Sequence, residues 1–469
     1  MFSCKGTLAG SRMSHITITR GLNIPIEGAP LGAIQPQERS SRVAYTFNAF
    51  DETKFRVFVQ PGDDVVPGKP LAEDKDVPGR YFVSYWHGKV QEVRRGEKRR
   101  LQAIVIQRTG QDSVKVSEPK NPDTLSKEEL IKELLEKGLF AFIRRRPFNR
   151  LARPNQTPRS IFVKAIESAP FVPPQELHVQ GYEEEFRVGL RVLKKLTQGP
   201  VHLIYAQGST QKAFLDAQGV EKHTVSGPHP ASNPSVHIHY IDPIKKVDDV
   251  VWTVTALDVV AIGLLFTQGK LLTERVVALA GDGILPQKRG FVKALFGHSI
   301  GELVTGKQQN TPQRLISGDP LTGESVTYDD FLGACHTTVT AIPEPTKRPF
   351  LHFLRLGKNR YTASGAYLSG HGKSPAKKYF FTTSQHGEER AFIDGTVYQK
   401  VMPMNVLVMQ LVKALISDDL DTAASFGLLE VVPEDFALPE FVCPSKIEMM
   451  DIVKEGLHTY AAEHLGPHG

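Results

Sequence analysis

Short runs of alternating apolar and polar residues fill the first quarter of the chain, and Pro/Gly turns separate them. The runs are Arg56–Val59, Val65–Lys69, Gly88–Val93 and Leu101–Gln107. A period of two residues is typical of half-buried β-strands, and closely spaced turns indicate a small β domain. We therefore predict an N-terminal extension over residues 1–14 and a barrel-sandwich β domain over residues 15–115.

The apolar period then lengthens to that of a helix. Ser126 and Glu129 have the spacing of a capping box, in which each side chain bonds the other residue's backbone N–H. A strand, a helix and a second strand follow at Arg159–Ile166, Glu183–Leu196 and Pro200–Tyr205. A strand, a helix and a strand in this order form the repeating unit of a parallel sheet, so we predict a Rossmann-like α/β domain over residues 124–255.

Three further segments complete a multidomain α/β chain. A helix, a short strand and glycine-bounded β segments predict a β-grasp domain over residues 256–335. Residues 336–400 are rich in glycine and aromatic residues and are predicted to be a β-rich segment. Residues 401–469 are predicted to form a helical C-terminal domain, with helices near Leu407–Ile416 and Ile447–Leu457.

Composition indicates a globular chain. Of its 469 residues, 40% are hydrophobic and 23% are charged, which excludes fibrous, disordered and membrane-embedded proteins. The best apolar stretch, Val250–Leu265, is too short to span a bilayer and contains Asp258. No secretion signal precedes the strand-like Ser14–Arg20, and either Met1 or Met13 could be the true start.

Cysteines and basic residues limit the cellular setting. Cys4, Cys335 and Cys443 lie far apart, so neither a disulfide framework nor a four-thiolate site is expected, and a reducing compartment is indicated. The net charge of +6 is concentrated in two clusters: Arg94, Arg95, Lys98, Arg99 and Arg100, and Arg144, Arg145, Arg146, Arg150 and Arg153. A solvated face, anionic lipid headgroups or an acidic partner protein would each suit that charge. Nucleic acid is not expected, because no recognition module accompanies the clusters.

One segment alternates aromatic and cationic side chains: Phe140, Phe142, Arg144, Arg145, Arg146 and Phe148. Such a combination can stack on a quinone ring and donate hydrogen bonds to its carbonyl oxygens. A plain helix-to-strand connection with a solvated basic edge explains the same residues. The segment is the best small-molecule candidate in the sequence.

Histidines form a second candidate group. His237 and His239 make an H-x-H pair, which on a strand places both imidazoles on one face. With His229, and with Asp242 close behind, they are weak candidates for a zinc or iron site. The alternative is that His229 packs in a rigid turn between prolines, while His237 and His239 form hydrogen bonds in or beside the α/β core.

Three motifs carry a resemblance to a known family: Leu139–Arg150 (LFAFIRRRPFNR), Gly227–Pro230 with His237–His239, and Phe441–Lys446. From about Ile16 to about Leu457 the chain resembles the A subunits of the bacterial sodium-translocating NADH:quinone reductases. It is more distantly similar to the C subunits of Rnf complexes and to the NADH-binding flavoprotein subunit of complex I.

The resemblance implies a peripheral subunit on the cytoplasmic face of the bacterial inner membrane. Its six-subunit complex would oxidise NADH, reduce ubiquinone to ubiquinol and export Na⁺. Flavins and iron centres would lie in the five partner subunits, one of them an integral membrane flavin-bearing subunit. This chain would hold no cofactor and no catalytic residue of its own, and it would contribute docking or quinone contacts.

Departures from the distant relatives support a chain without cofactors. Bulky residues of Leu139–Phe148 occupy the place of a glycine-rich loop that approaches flavin and dinucleotide phosphates. Glu167 matches an acidic position after that loop, where a capping role is the alternative to a ligand role. Of two cysteine-rich motifs for 4Fe–4S clusters, one retains only Cys443-Pro444 and the other reads Met402-Pro403. Cys443 is expected to be a packed residue before a helix.

Two other functions remain open from the sequence. A free-standing flavin-dependent NADH dehydrogenase on the same scaffold would carry stoichiometric flavin. The turn with Gly62, Asp63 and Gly68 resembles that of biotinyl and lipoyl carrier domains, which would place a modified lysine near Lys75. Asp319–Gly323 is expected to be a structural turn.

Overall fold

The computed structural model describes residues 14–36, 39–50, 52–109, 115–347, 350–351, 354–371 and 377–465. Met1, Met13 and Cys4 lie outside this part of the chain, as does the predicted N-terminal extension except Ser14. Two short strands open the described chain, β1 (Ser14–Thr17) and β2 (Ile34–Pro36). Each of them joins a sheet that is built mainly from much later residues.

Seven strands then form two small antiparallel sheets that pack on each other. They are β3 (Arg42–Thr46), β4 (Phe55–Val57), β5 (Asp64–Val65), β6 (Pro70–Asp74), β7 (Tyr81–Val83), β8 (Gly88–Arg95) and β9 (Leu101–Arg108). The strand orders are β3-β9-β8-β5 and β4-β6-β7. Tyr45 and Phe47 pack against Phe82 of the opposite sheet, with ring centroids 5.8 and 5.6 Å apart. The two-sheet arrangement agrees with the predicted barrel-sandwich domain.

A seven-stranded sheet forms the centre of the molecule. Its strands after β1 are β10 (Arg144–Arg146), β11 (Arg150–Leu151), β12 (Ser160–Ala165), β13 (Val201–Ala206), β14 (Glu221–Ser226) and β15 (Val251–Thr255). The order is β1-β14-β13-β12-β15-β10-β11, with the first five strands parallel. The strand predicted at Ser14–Arg20 is therefore present as β1, and its partner is β14 rather than a strand of the two small sheets.

Helices cover both faces of this sheet. They are α1 (Lys127–Glu136), α2 (Gln175–Val179), α3 (Glu183–Leu196), α4 (Lys212–Leu215), α5 (Pro234–Ile241) and α6 (Ala256–Gln268). The predicted capping box is present, because Ser126 and Glu129 exchange hydrogen bonds at the start of α1. Helices α3 and α6 approach so closely that a methyl group at Gly263 would lie 1.7 Å from the carbonyl oxygen of Glu185.

A six-stranded sheet follows in sequence. It contains β16 (Glu274–Ala280), β17 (Gly290–Leu295), β18 (Gln313–Ser317), β19 (Glu324–Val326) and β20 (Thr338–Pro343), with the short helix α7 (Ile300–Val304) on it. The order is β19-β18-β20-β16-β17-β2. The predicted turn at Asp319 is confirmed: its carboxylate accepts hydrogen bonds from the backbone N–H groups of Leu321 and Thr322.

The prediction of a β-rich segment over residues 336–400 is wrong beyond its first strand, β20. In the described part of residues 344–395, the only strand-type pairing is a bridge between Tyr379 and Ile26. Several large apolar residues of this region do not face a core: Phe350, Leu356 and Ile393 are 83%, 73% and 77% exposed. Alternating residues stabilise a strand only when one face is buried.

The C-terminal region is helical, as predicted. Its helices are α8 (Thr396–Gln399), α9 (Val408–Ile416), α10 (Leu420–Ser425), α11 (Ala437–Val442) and α12 (Met449–His464). They share a core with Ile18, Phe162 and Ile204 on one face of the seven-stranded sheet. Within the described chain, none of the helices has the length and hydrophobicity needed to cross a membrane.

Candidate functional site

A cavity of about 850 Å³ lies where the four structural regions meet. The two small sheets contribute Phe50, the seven-stranded sheet Arg144, the six-stranded sheet Arg275 and the C-terminal helices Glu434. This volume is within the range of sites that hold a cofactor-sized molecule. Because all four regions line this cavity, binding of a ligand there and the packing of the regions affect each other.

The Phe/Arg segment singled out in the sequence forms one wall of the cavity. Its lining residues are Phe142, Arg144, Arg145, Arg146 and Phe148. Phe140 is not among them, because its side chain is fully buried and packs edge-on against Trp252, with ring centroids 5.6 Å apart. The segment therefore divides into one core residue and five residues that face the cavity.

The local backbone explains how these side chains reach the cavity. Residues Phe140–Phe142 form a 3-10 turn, and β10 then pairs antiparallel with β15 at the edge of the seven-stranded sheet. After β10, Phe148 and Asn149 have φ angles of +79° and +55°, which side chains other than glycine rarely adopt. This turn reverses the chain into β11 and brings the Phe148 ring 6.2 Å from that of Tyr460 in α12.

Two arginines and two aromatic rings, Phe50 and Phe142, line the middle of the cavity, and a third ring, the buried Phe296, packs behind them. Arg144 donates to the carbonyl oxygen of Ala49 at 2.7 Å, and its guanidinium lies 5.2 Å from the Phe50 ring centroid. Arg275 donates to the carbonyl oxygen of Ala334 at 2.7 Å and lies 4.7 Å from the Phe296 ring centroid. The partly buried Phe142 ring lies between the rings of Phe50 and Phe296. Its centroid is 6.2 Å from that of Phe50 and 6.4 Å from that of Phe296.

The second basic cluster is not a solvated face, which corrects one interpretation of the sequence. Arg145 and Arg146 are each 3% exposed. Burial, together with the nearby charges of Arg153 and Arg150, lowers the pKa of Arg145 to about 10. Arg146 donates to the hydroxyl oxygen of Ser235 at 2.8 Å and lies 3.6 Å from a carboxylate oxygen of Glu434.

Carboxylates balance the arginines at the far end of the cavity. Lys164 and Glu167 form an ion pair at 2.9 Å, and Glu167 also accepts hydrogen bonds from the backbone N–H groups of Ser168 and Ala169. Burial would raise the pKa of Glu167, but Lys164 and those hydrogen bonds outweigh it and leave the pKa below its usual value. Glu167 thus fills the local capping role considered from the sequence while also lining the cavity.

Glu434 behaves differently from Glu167. Its side chain is 41% exposed, and it lines the cavity, so protein surrounds it rather than open solvent. Burial and the neighbouring Asp435 raise its pKa, and Arg146 opposes that rise. The cavity therefore contains one carboxyl group that is held ionised and one that is easier to protonate.

The predicted histidine group does not come together as a metal site. His237 and His239 lie on helix α5 instead of a strand, because Pro234 starts a helix there, so residues two apart face different directions. His229 contacts Ser168 at 3.0 Å, His237 contacts the Ala231 carbonyl at 2.9 Å and His239 contacts Glu430 at 2.5 Å. Each of the three side chains has a hydrogen-bond partner within the protein, as the alternative interpretation of the sequence expects.

Asp242, the fourth residue considered for that metal site, is engaged elsewhere. Its carboxylate accepts from Arg159 at 3.0 Å and from the hydroxyl of Ser160 at 2.6 Å. In the described chain, the side chains close enough to share a metal ion are a different set, His202, Glu221 and His223.

Cys443 is a packed residue, as predicted. It is 1% exposed, follows helix α11, and its sulfur lies 3.2 Å from the hydroxyl oxygen of Tyr398. Met402, which stands at the place of the other cysteine-rich motif, is fully buried in the same core. At both Cys443 and Met402, the side chain makes hydrophobic contacts in the core.

Most of the residues that line the cavity were not identified as site candidates from the sequence. Phe50, Asp258, Arg275, Cys335 and Glu434 all line it, yet they lie in five separate parts of the chain. A charged residue at the start of an otherwise apolar strand, as at Arg275, was the one available signal. The others were indistinguishable from surface or core residues until the regions packed together.

Two solved structures illustrate a weak likeness to this chain. An NAD⁺-reducing NiFe hydrogenase in the air-oxidized state has a TM-score of 0.32 and 13% identity, covering 47% of this chain and 50% of that chain. The same type of enzyme in the H₂-reduced state has a TM-score of 0.34 and 11% identity, covering 74% and 65%. Likeness at this level carries no argument about fold or function.

Two family models match successive parts of the chain. The model of the NqrA N-terminal barrel-sandwich hybrid domain matches residues 16–109, and the model of the NqrA second alpha/beta domain matches residues 125–271. The first match confirms the predicted barrel-sandwich domain. The second spans α1 to α6 with the central strands, and it confirms an α/β domain after the first.

Curated relatives match nearly the whole chain. The A subunit of the Na(+)-translocating NADH-quinone reductase of Chlamydia caviae is 38% identical over 466 residues, covering 96% of this chain and 97% of the relative. Its counterpart in Chlamydia pneumoniae is 38% identical over 472 residues, covering 97% and 99%. The counterpart in Saccharophagus degradans is 36% identical over 445 residues, covering 94% and 98%. The chain therefore belongs to the family of A subunits of the Na⁺-translocating NADH-quinone reductase.

Proposed function

We propose that the chain is a peripheral subunit of a membrane complex that oxidises NADH, reduces ubiquinone to ubiquinol and exports Na⁺. Near-full-length identity to subunits of that name supports this assignment. The chain works with five partner subunits, among them an integral membrane subunit that bears flavin, on the cytoplasmic face of the inner membrane. Flavins and iron centres in the partners carry the electrons, so this chain does not catalyse the reaction alone.

Within the complex, the cavity contacts ubiquinone. The observation that carries this proposal is the pair of rings Phe50 and Phe142 on the cavity wall, with Arg144 and Arg275 on the same lining. A quinone head group is planar and has two carbonyl oxygens that accept hydrogen bonds. Aromatic rings bind its faces, and guanidinium groups supply several donors in a fixed plane.

The charges of the cavity favour such a ligand over a strongly anionic one. Basic residues line the cavity, among them Arg144 and Arg275, but carboxylates that include Asp258, Glu167 and Glu434 line it in equal number. Those carboxylates would repel a dinucleotide or flavin phosphate, whereas they do not repel a neutral quinone. The bulky hairpin at the place of the glycine-rich loop also leaves little room for phosphates to reach backbone N–H groups.

The exposed basic hairpin provides the docking surface. Its side chains at the β8–β9 tip are Arg95, Lys98, Arg99 and Arg100, all exposed. Clustered basic residues are attracted to anionic headgroups or to acidic protein surfaces, each contributing about 1 kcal/mol near a membrane. We place this hairpin toward the membrane subunits and the lipid surface.

Titration of the purified chain with the short-chain quinone ubiquinone-1 tests the quinone proposal. Protein fluorescence or saturation-transfer NMR would report binding. Arg144→Gln removes donors from the cavity and is expected to weaken binding at least tenfold, by about 1.4 kcal/mol. Arg187→Gln is the matched control, because Arg187 is an exposed arginine of α3 whose side chain is 61% accessible.

Two results would count against the quinone proposal. One is equal affinity for wild-type chain and for Arg144→Gln when thermal unfolding shows both to be folded. The other is equal loss in Arg144→Gln and Arg187→Gln, since that loss would reflect charge in general rather than this cavity.

A further inference from the structure

A compact group of metal-binding side chains lies on the seven-stranded sheet, away from the cavity. His202 lies near the start of β13, and its cross-strand partner in the parallel register is Glu221 at the start of β14. His223 is two residues further along β14, so its side chain lies on the same face of the sheet as that of Glu221. Its own cross-strand partner is Ser14 of β1. The sheet register alone places these side chains together.

Distances between the ligand atoms suit one bound ion. Nδ1 of His202 lies 3.0 Å from Nε2 of His223 and 3.6 Å from Oε2 of Glu221. All three ligand atoms lie within 4.8 Å of one another. A tetrahedral ion with ligands at about 2.0 to 2.2 Å separates them by roughly 3.3 to 3.6 Å. The two short distances are close to that range, and a small rotation of Glu221 adjusts the third.

We propose that His202, Glu221 and His223 bind a divalent transition-metal ion, and that Zn²⁺ fits this ligand set best. Zinc commonly binds two imidazoles and a carboxylate. Mg²⁺ and Ca²⁺ bind such a set weakly, because they prefer oxygen ligands alone. The fourth position is open to water. The Glu221 side chain is 46% exposed, so the ion reaches the group from solvent on that side.

Neighbouring groups hold the imidazoles in place. The Oγ of Ser14 lies 2.5 Å from Nδ1 of His223, so a proton on Nδ1 leaves the lone pair of Nε2 directed at the metal. An outer hydrogen bond of this kind fixes the tautomer of metal-binding histidines in many proteins. The Phe162 ring packs 4.6 Å from the His202 ring, and both histidines are almost fully buried, at 3% and 4% exposed.

The site is separate from the proposed quinone site. None of the three ligands lines the cavity. They lie at the amino-terminal ends of parallel strands, whereas the cavity residue Glu167 follows the carboxyl-terminal end of β12. A metal here would tie β13 to β14 and, through Ser14, to β1. The bound metal would therefore stabilise the edge of the α/β region. This inference does not depend on the proposed function.

Zinc titration of the full-length chain tests the proposal. The chain is purified without a polyhistidine tag, stripped with a chelator, and titrated with Zn²⁺ by calorimetry; Co²⁺ in its place reports the ligand geometry by visible absorption. We expect one ion per chain and a tetrahedral Co²⁺ spectrum. Glu221→Gln, at a half-exposed position that tolerates change, lowers the affinity at least tenfold, and Ser14→Ala lowers it by about 10- to 100-fold.

His15→Gln is the matched control. His15 is an exposed histidine on the same strand as Ser14, and it contacts Thr224 rather than the three ligands. Zinc binding to this variant should equal that of wild type. Absence of stoichiometric binding to the wild-type chain, or equal affinity in wild type and Glu221→Gln, would overturn the proposal and leave a hydrogen-bonded pair of histidines.

Discussion

Truncation of two neighbouring phenylalanines in one segment should have different effects on stability and on quinone binding. Phe140 is fully buried against Trp252, and the Arg80 guanidinium lies 5.7 Å from its ring centroid. Phe142 is only partly buried and faces the cavity. The sequence placed both in one candidate ligand segment. The structure assigns Phe140 to the core and leaves Phe142 for the ligand.

The expected magnitudes follow from burial. Phe140→Ala removes a whole buried ring and should lower the free energy of unfolding by about 3 to 5 kcal/mol. Phe142→Ala removes a partly exposed ring and should cost about 1 to 2 kcal/mol. For the unfolding transition of a single domain, with a urea dependence of about 2 to 3 kcal/mol per molar, a difference of about 2 kcal/mol separates the two midpoints by roughly 0.7 to 1 M.

Trp252 fluorescence is the natural assay, because its indole contacts Phe140 and lies in the central sheet. The chain has two tryptophans, so a Trp86→Phe background makes Trp252 the sole reporter. Ubiquinone-1 binding is measured on the same two variants. The reasoning would be refuted if Phe142→Ala lost more stability than Phe140→Ala, or if Phe142→Ala kept wild-type quinone affinity.

Two more predictions concern charge and close packing. The pKa of Glu167 is lowered in the folded chain, so its ionised form stabilises the fold above its ordinary pKa of 4.5, and that contribution is lost as the pH falls through the folded value. Urea midpoints measured from pH 6 downward should therefore fall less steeply for Glu167→Gln than for wild type; parallel curves would contradict this. Gly263→Ala places a methyl group 1.7 Å from the Glu185 carbonyl oxygen and should cost about 1 to 3 kcal/mol, since α3 and α6 must separate. An unchanged thermal midpoint would show that the helices are not packed this closely.

Much of the local structure could be predicted from the sequence where several signals agreed. Helix α3 has the predicted bounds Glu183–Leu196, because an acidic first turn, a regular apolar face and a basic last turn all indicate the same helix. Helix α1 begins after Ser126, as the capping box indicated. In both places short-range preferences and burial favour the same conformation.

Prediction failed where a short pattern suits two structures. The metal-site hypothesis for the H-x-H pair required a strand, but Pro234 at the first helical position starts α5 there. The glycine- and aromatic-rich residues after β20 were expected to form strands, yet many of them are exposed, and in the described chain they form no regular strand pairing. Burial decides such cases, and burial depends on the rest of the fold.

The candidate site shows the same limit. The Phe/Arg segment was found because its chemistry is concentrated in nine residues, 140–148. Phe50, Arg275 and Glu434 join it from far along the chain, and only tertiary packing brings them to the cavity. The group of His202, Glu221 and His223 likewise depends on the register of β13 and β14, which the sequence does not show.

Co-purification from membranes tests the central claim most directly. The chain carries a removable affinity tag in its own host, and the membranes are solubilised gently before affinity capture and size-exclusion chromatography. We predict that it elutes with a flavin-bearing integral membrane subunit, and that the fraction oxidises NADH with quinone in a Na⁺-dependent manner. Elution of the chain alone from the cytosolic fraction, with stoichiometric flavin absorption of its own, would contradict the account.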